Sequence, residues 1–282
     1  MNKILPFFRF KTFPNLNELF LKATYFKSAS SVGLLTTFES FVGKGFRQLT
    51  SLEKLHLKLD SKPPGIKYIS QGLLQLPKLS SFSLDIDFID WKNWENLIEF
   101  TRKQKDFVYL KFHVSFFIKT SKKGKHHQTQ FLECLLAILS QKPKLKYLTL
   151  TANVWPLKAL LNGLGKLIDT PRLRYFEFRL IKRYYVRFEV SKSAHPSFQG
   201  LCEFLVRNRG TLKELGLTFP FLEKQEENDE LSTAVAQLSQ LKKLRLNIWL
   251  SALGEREFSC SALGNILKYN FANMSAKKNL GA

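Results

Sequence analysis

The pattern LxxLxLxΦ, with Φ apolar, recurs eight times in this chain of 282 residues. The copies start at Leu16, Leu52, Leu79, Phe107, Leu145, Leu173, Leu212 and Leu241. Their third anchors fall at Leu21, Leu57, Leu84, Phe112, Leu150, Phe178, Leu217 and Leu246, with successive gaps of 36, 27, 28, 38, 28, 39 and 29 residues. Four gaps cluster at 27–29, so the longer three read as the same unit with an insertion of about ten residues. A repeat of this length that holds a few apolar anchors cannot bury its own edge, and it becomes stable only by stacking on copies of itself.

Within each unit the last three anchors alternate with period two, as in a strand buried on one face. Between them the period becomes helical, for example at Ile66, Ile69, Leu73 and Leu76, or at Phe198, Leu201 and Leu205. Further stretches run through Trp94–Ile98, Phe131–Leu139, Leu157–Leu167, Leu231–Leu238 and Leu263–Leu267. Pro77, Pro143 and Pro171 stand between such stretches and the next strand, where a helix cannot continue. Each unit is therefore expected to be strand, loop, helix, loop. Stacked units give an α/β solenoid of about eight repeats, with parallel strands on one side and helices on the other. With 44% apolar and 24% charged residues, the composition is that of a folded chain.

These eight LxxLxLxΦ copies resemble the leucine-rich-repeat family, and the 27–29-residue unit is similar to its ribonuclease-inhibitor-like subclass. The resemblance covers about residues 13–271, and residues 1–271 are expected as one solenoid domain, with 272–282 as a polar C-terminal tail. It implies a right-handed α/β superhelix with a concave parallel sheet and convex helices. The chain departs from the family at the Asn or Cys three residues after the third anchor. Those positions hold Thr24, Asp60, Asp87, Ser115, Asn153, Ile181, Pro220 and Trp249, so only Asn153 fits. The loop backbone must then be satisfied in another way, and longer strands are one expectation. The Cys-rich caps of extracellular members are missing. Cys134 and Cys202 fall on helices as expected core thiols, and the three cysteines, which include Cys260, form no CxxC pair. An intracellular, cytoplasmic location follows as the expectation. The stretch before Leu16 carries Lys3, Arg9 and Lys11 without an acid, which leaves organelle targeting open. No apolar run approaches the roughly 20 residues that span a bilayer, so no membrane insertion is expected.

Residues between anchors should point away from the helices, because alternate strand side chains face opposite ways. They form three columns. The first reads Glu18, Lys54, Ser81, Tyr109, Tyr147, Tyr175, Glu214, Lys243. The second reads Phe20, His56, Ser83, Lys111, Thr149, Glu177, Gly216, Arg245. The third reads Lys22, Lys58, Asp85, His113, Thr151, Arg179, Thr218, Asn247. Tyr109, Tyr147 and Tyr175 thus occupy one column in consecutive repeats and should form a ladder at the inter-strand spacing of about 4.8 Å. Tyrosine joins apolar area to a polar tip and is enriched at interfaces, although cross-strand aromatics also simply stabilise sheets.

The chain has 44 Lys and Arg against 23 Asp and Glu, a formal net charge of +21. Residues 101–192 hold twenty of the bases and five of the acids, so fifteen of the excess charges lie there. The columns hold seven Lys and Arg against four acids, a mixed face better suited to protein than to a nucleic-acid track. Lys103, Lys105, Lys142, Lys144, Arg172, Arg207 and Arg209 fall at helix-to-strand connections, where cations complement helix dipoles. Others fall in the insertions after the fourth and sixth strands, at Lys119, Lys122, Lys123, Lys125, Lys182, Arg183 and Arg187. Aromatic neighbours there, among them Tyr184 and Tyr185, suit phosphate contact and base stacking. Solvated loops or a covering hairpin suit the same residues. The acidic run from Glu223 to Glu230 is expected on a loop before a helix starting near Leu231.

Nothing in the sequence is arranged for catalysis. Gly43 and Gly45 lack phosphate-loop spacing, and no GxSxG occurs. His126 and His127 near Cys134 match no common metal site. The expectation is a non-catalytic scaffold without cofactor or metal, which binds a protein partner through Tyr109, Tyr147, Tyr175, Lys111 and Arg179. An RNA- or ribonucleoprotein-associated subunit that uses the basic loops is the alternative. A substrate-recognition subunit of a ubiquitin ligase is a weaker one, because a strand beginning near Leu16 leaves no room for an F-box before it.

Overall fold

All eight anchor sets lie in β-strands. The computed structural model describes residues 15–24, 42–60, 66–89, 91–116, 130, 133–153, 161, 163–165, 173–181, 198–220 and 225–249. The strands are β1 (Glu18–Thr24), β2 (Lys54–Asp60), β3 (Ser81–Ile89), β4 (Tyr109–Phe116), β5 (Tyr147–Asn153), β6 (Tyr175–Ile181), β7 (Glu214–Pro220) and β8 (Lys243–Trp249). They form one parallel sheet in the order β1 to β8. Each begins at the residue before the second anchor, so equivalent repeat positions pair directly. Leu21, Leu57, Leu84, Phe112, Leu150, Phe178, Leu217 and Leu246 therefore make one continuous row.

Helices fill the connections, at Ile66–Leu73, Trp91–Lys103, Gln199–Arg207 and Gln225–Ala236. Residues 133–139 and 163–165 are helical too. So are residues 42–46, a turn the periodicity did not pick out, because Gly43 and Gly45 leave only Val42 and Phe46 to bury. The described part of the acidic run is helical and not a loop, and Glu223 lies outside the described residues. Glu226, Glu227, Asp229 and Glu230 lie inside the helix Gln225–Ala236, whose first turns favour negative charge.

The core lies between sheet and helices. Leu55, Leu57, Leu110, Leu148 and Leu215 from the strands meet Leu73, Leu97, Leu139, Leu201, Phe204 and Val235 from the helical side. Phenylalanine replaces leucine at several anchors, and the rings interlock. Phe82 packs edge-on against Phe100 at 5.0 Å and Phe112 at 6.0 Å, and Phe176 lies 4.7 Å from Phe204. Leu19, Leu21, Leu244 and Leu246 are only partly buried, because β1 and β8 each have a strand neighbour on one side. Helices approach closely where glycine allows it. A Cβ at Gly72 would lie 2.3 Å from the Gly43 carbonyl oxygen, and one at Gly165 would lie 2.8 Å from the Gly200 Cα.

Backbone pairing extends to both strand ends. Six strands end at the third residue after the third anchor, and β3 and β4 run past it to Ile89 and Phe116. At the entry to each strand from β2 to β8 two successive N–H groups donate to one carbonyl of the preceding repeat. Glu53 and Lys54 share Asn17, Ser80 and Ser81 share Glu53, and Val108 and Tyr109 share Ser80. The same step repeats through Lys146/Tyr147, Arg174/Tyr175, Lys213/Glu214 and Lys242/Lys243.

Candidate binding face

Period-two alternation puts the three columns on the sheet face opposite the helices, and the strand register aligns each column across all eight strands. The tyrosine ladder is present. Tyr109 pairs with Tyr147 and Tyr147 with Tyr175, each at 6.3 Å between ring centroids and tilted by 38° and 39°. Tyr147, in the middle, is 37% exposed, and only Phe20 on the edge strand β1, at 65%, is a more exposed large apolar residue among those described.

One end of the ladder is fixed by a buried carboxylate. Glu177 is only 7% exposed although its column faces away from the core. The Tyr175 hydroxyl donates to its Oε2 at 2.7 Å, and Arg179 Nη2 donates to its Oε1 at 2.7 Å. Arg245 Nη2 lies 3.9 Å from the same Oε1, donates to the Tyr175 hydroxyl at 2.9 Å, and stands 5.7 Å over its ring. Arg245 comes from β8, two strands away from β6. Its side chain crosses Gly216, where an added Cβ would lie 3.0 Å from Glu177 Cγ. The glycine leaves room for the carboxylate.

Burial works to raise the Glu177 carboxyl. Hydrogen bonds from Tyr175 and Arg179, with the charges of Arg179 and Arg245, outweigh it and hold the carboxyl below its ordinary value. The Tyr175 phenol is pushed up to about 12, by burial first and then by the hydrogen bond to Glu177 and its charge. Tyr109 is raised by burial and, secondarily, by the Glu177 charge. Tyr109 and Tyr175 are therefore neutral at ordinary pH, and Glu177 is ionised.

Elsewhere on the face, Lys54 pairs with Glu18 at 3.4 Å, Lys58 with Asp85 at 3.3 Å and Lys243 with Glu214 at 4.0 Å. His56 and His113 face Glu18 and Asp85 at 3.9 and 3.8 Å. Lys111 forms no ion pair among the described residues.

The helix-end cations behave differently. Lys142 is 2% exposed, and its ammonium donates to the carbonyls of Arg102 at 3.0 Å and Gln104 at 2.8 Å, closing the helix end of the preceding repeat. Gln104 does the same for Leu76 at 3.0 Å, Arg207 donates to the Gly165 carbonyl, and Lys144 pairs with Asp106 at 2.6 Å. Cys134 and Cys202 are free thiols, part-buried against the core. Burial first, and Glu230 second, push the Cys202 thiol up to about 12, so it offers no thiolate nucleophile.

Lys119, Lys122, Lys123, Lys125, Lys182, Arg183 and Arg187 lie outside the described residues, as do Arg172, His126, His127, His195 and Cys260. Among the described residues no group of His, Cys, Asp and Glu is placed to hold a metal, and no helix is long and apolar enough to cross a membrane. The structure brings Tyr109, Tyr147 and Tyr175 together and sets Arg179 beside them. It adds Glu177, Gly216 and Arg245, which column-by-column reading missed. The signal was a glycine standing between an acid and an arginine in one column.

No protein-family model matches the chain, and a search of curated proteins returns no similar one.

Proposed function

We propose that this chain is a non-catalytic leucine-rich-repeat scaffold of the ribonuclease-inhibitor-like kind, and that it holds a protein partner against its open sheet face. The exposed tyrosine ladder carries this reading. Its rings are fixed at one end by the Glu177 hydrogen bonds, so little side-chain freedom remains to be lost on binding. Tyr147 supplies apolar area, and Lys111 and Arg179 supply charge at its margins. Two free cysteines fit a reducing compartment.

Replacing Tyr109, Tyr147 and Tyr175 by Ala should abolish partner recovery from a native-cell extract. Tyr147→Ala alone, which leaves the Glu177 hydrogen bonds in place, should weaken it with thermal unfolding nearly unchanged. An unchanged set of partners would reject the reading.

The second reading, an RNA-associated subunit, is favoured by the twenty bases and five acids in residues 101–192. It places Lys119, Lys122, Lys123, Lys125, Lys182, Arg183 and Arg187 on phosphates. Phosphate contact predicts RNA affinity that falls steeply with salt. Partners that resist nuclease treatment favour the scaffold, and partners lost to nuclease favour RNA.

A further inference from the structure

The open face carries more than an aromatic patch. Four acids lie on it, and all four are occupied by cations of the same face: Glu18, Asp85, Glu177 and Glu214. Seven Lys and Arg share those columns, so the positive excess has no acid of the face to neutralise it. Two of the three excess charges lie on the part of the face that holds the tyrosines, and the third, Lys22, lies on β1. Arg179 and Arg245 share the single Glu177 carboxylate, and Lys111 forms no ion pair among the described residues. The arginine side chains remain 51% and 46% exposed although one end of each guanidinium is held. A guanidinium has five N–H donors in a planar fork that matches a carboxylate, so donors are left over on both.

We propose that Tyr147, Lys111, Arg179 and Arg245 form a docking site for an acidic segment of a partner protein, with an Asp or Glu carboxylate over the two arginines and an apolar group on the Tyr147 ring. This rests on the scaffold reading and gives it a partner chemistry. Glu177 is the positioning residue. Buried between Thr149 and Gly216 in its column, it holds both forks before the ligand arrives, which lowers the entropy lost on binding. A protein segment fits better than a nucleic-acid strand. A phosphate chain repeats its charge at every nucleotide and would run against Glu18, Asp85 and Glu214 on the same face, whereas a segment with one or two acids need not.

The test is selection of a random-peptide display library on the full chain, followed by titration of fluorescein-labelled selected peptides. Enrichment of Asp and Glu is expected, as is competition by unlabelled acidic peptide and not by oligouridine. The double variant Arg179→Gln/Arg245→Gln should weaken the selected peptides about tenfold or more, as loss of hydrogen bonds between charged groups does. Lys111→Gln, which has no ion pair to lose, should weaken them a few-fold with unfolding unchanged, and it keeps the test valid if the double variant folds poorly. Selected peptides without acid enrichment, or acidic peptides that bind all these variants as they bind the parent, would overturn the proposal. Peptides lost to Tyr147→Ala but indifferent to the charge variants would remove this site and leave the scaffold reading standing. Oligouridine binding that is lost in the double variant would reject both.

Discussion

Lys142 and Arg179 are both cations on the same repeat framework, and they are placed for opposite ends. Lys142 is buried at the helix-end edge, with its ammonium spent on two carbonyls of the preceding repeat. Arg179 stands on the sheet face, held at one nitrogen by Glu177 and about half exposed. Net charge cannot separate the two. Burial and the identity of the acceptor can, because a backbone carbonyl at a helix end needs a donor in the folded chain regardless of any ligand. Lys142 and Arg207 thus serve to close helix ends, whereas Lys111, Arg179 and Arg245 stand on the face with the tyrosines and Lys22 lies at its β1 edge.

The contrast breaks most sharply in the helix layer. Gly72→Ala should cost about 2–3 kcal/mol, because its Cβ would press on the Gly43 backbone and not on a side chain that can move aside. Urea unfolding measures the loss, and partner binding per folded molecule should stay the same. Lys142→Met should come next, at about 2 kcal/mol, since two carbonyls lose their donor.

Lys142 also has a pH signature. Burial first, and Lys105 second, push it down to about 8 from 10.5. Between those values the unfolded chain keeps a proton that the folded chain has released, so this group makes stability rise with pH there. The rise should vanish in Lys142→Met, as urea midpoints at about pH 8 and about pH 9.5 would reveal.

Tyr175→Phe is the smallest effect, about 1 kcal/mol for one hydrogen bond to a charged acceptor at a part-exposed site. Its sign with pH is the reverse. The folded phenol holds its proton to about 12 against an ordinary 10.0, so its contribution is intact below pH 10.0 and is lost as pH rises toward 12. The Phe variant should lack this alkaline loss.

The sheet was legible in the sequence because period-two anchors at regular spacing determine register as well as strand position. Leu148 and Phe176 had to face the core, which put Tyr147 and Tyr175 side by side. The helix at residues 42–46 was not legible, since two buried residues and two glycines make no period. Nor was the helical state of Glu226–Glu230, where few apolar residues mark the face. The ladder was read from one column. The Glu177 cluster was missed because it joins β6 to β8 across Gly216, and its logic lies in a side chain that is absent. Lys142 was placed at a helix end from sequence, but that it closes the previous repeat's helix follows only from the stacking.

The most direct measurement is amine cross-linking of the chain bound to its partner, read by mass spectrometry. Lys111, Lys58 and Lys243 lie on the sheet face, and Lys103, Lys105 and Lys144 lie at or just beyond the helix ends. Cross-links to the partner should concentrate on the first set and be lost when Tyr147 is replaced by Ala. Cross-links confined to the second set, with the sheet-face lysines silent, would contradict the account.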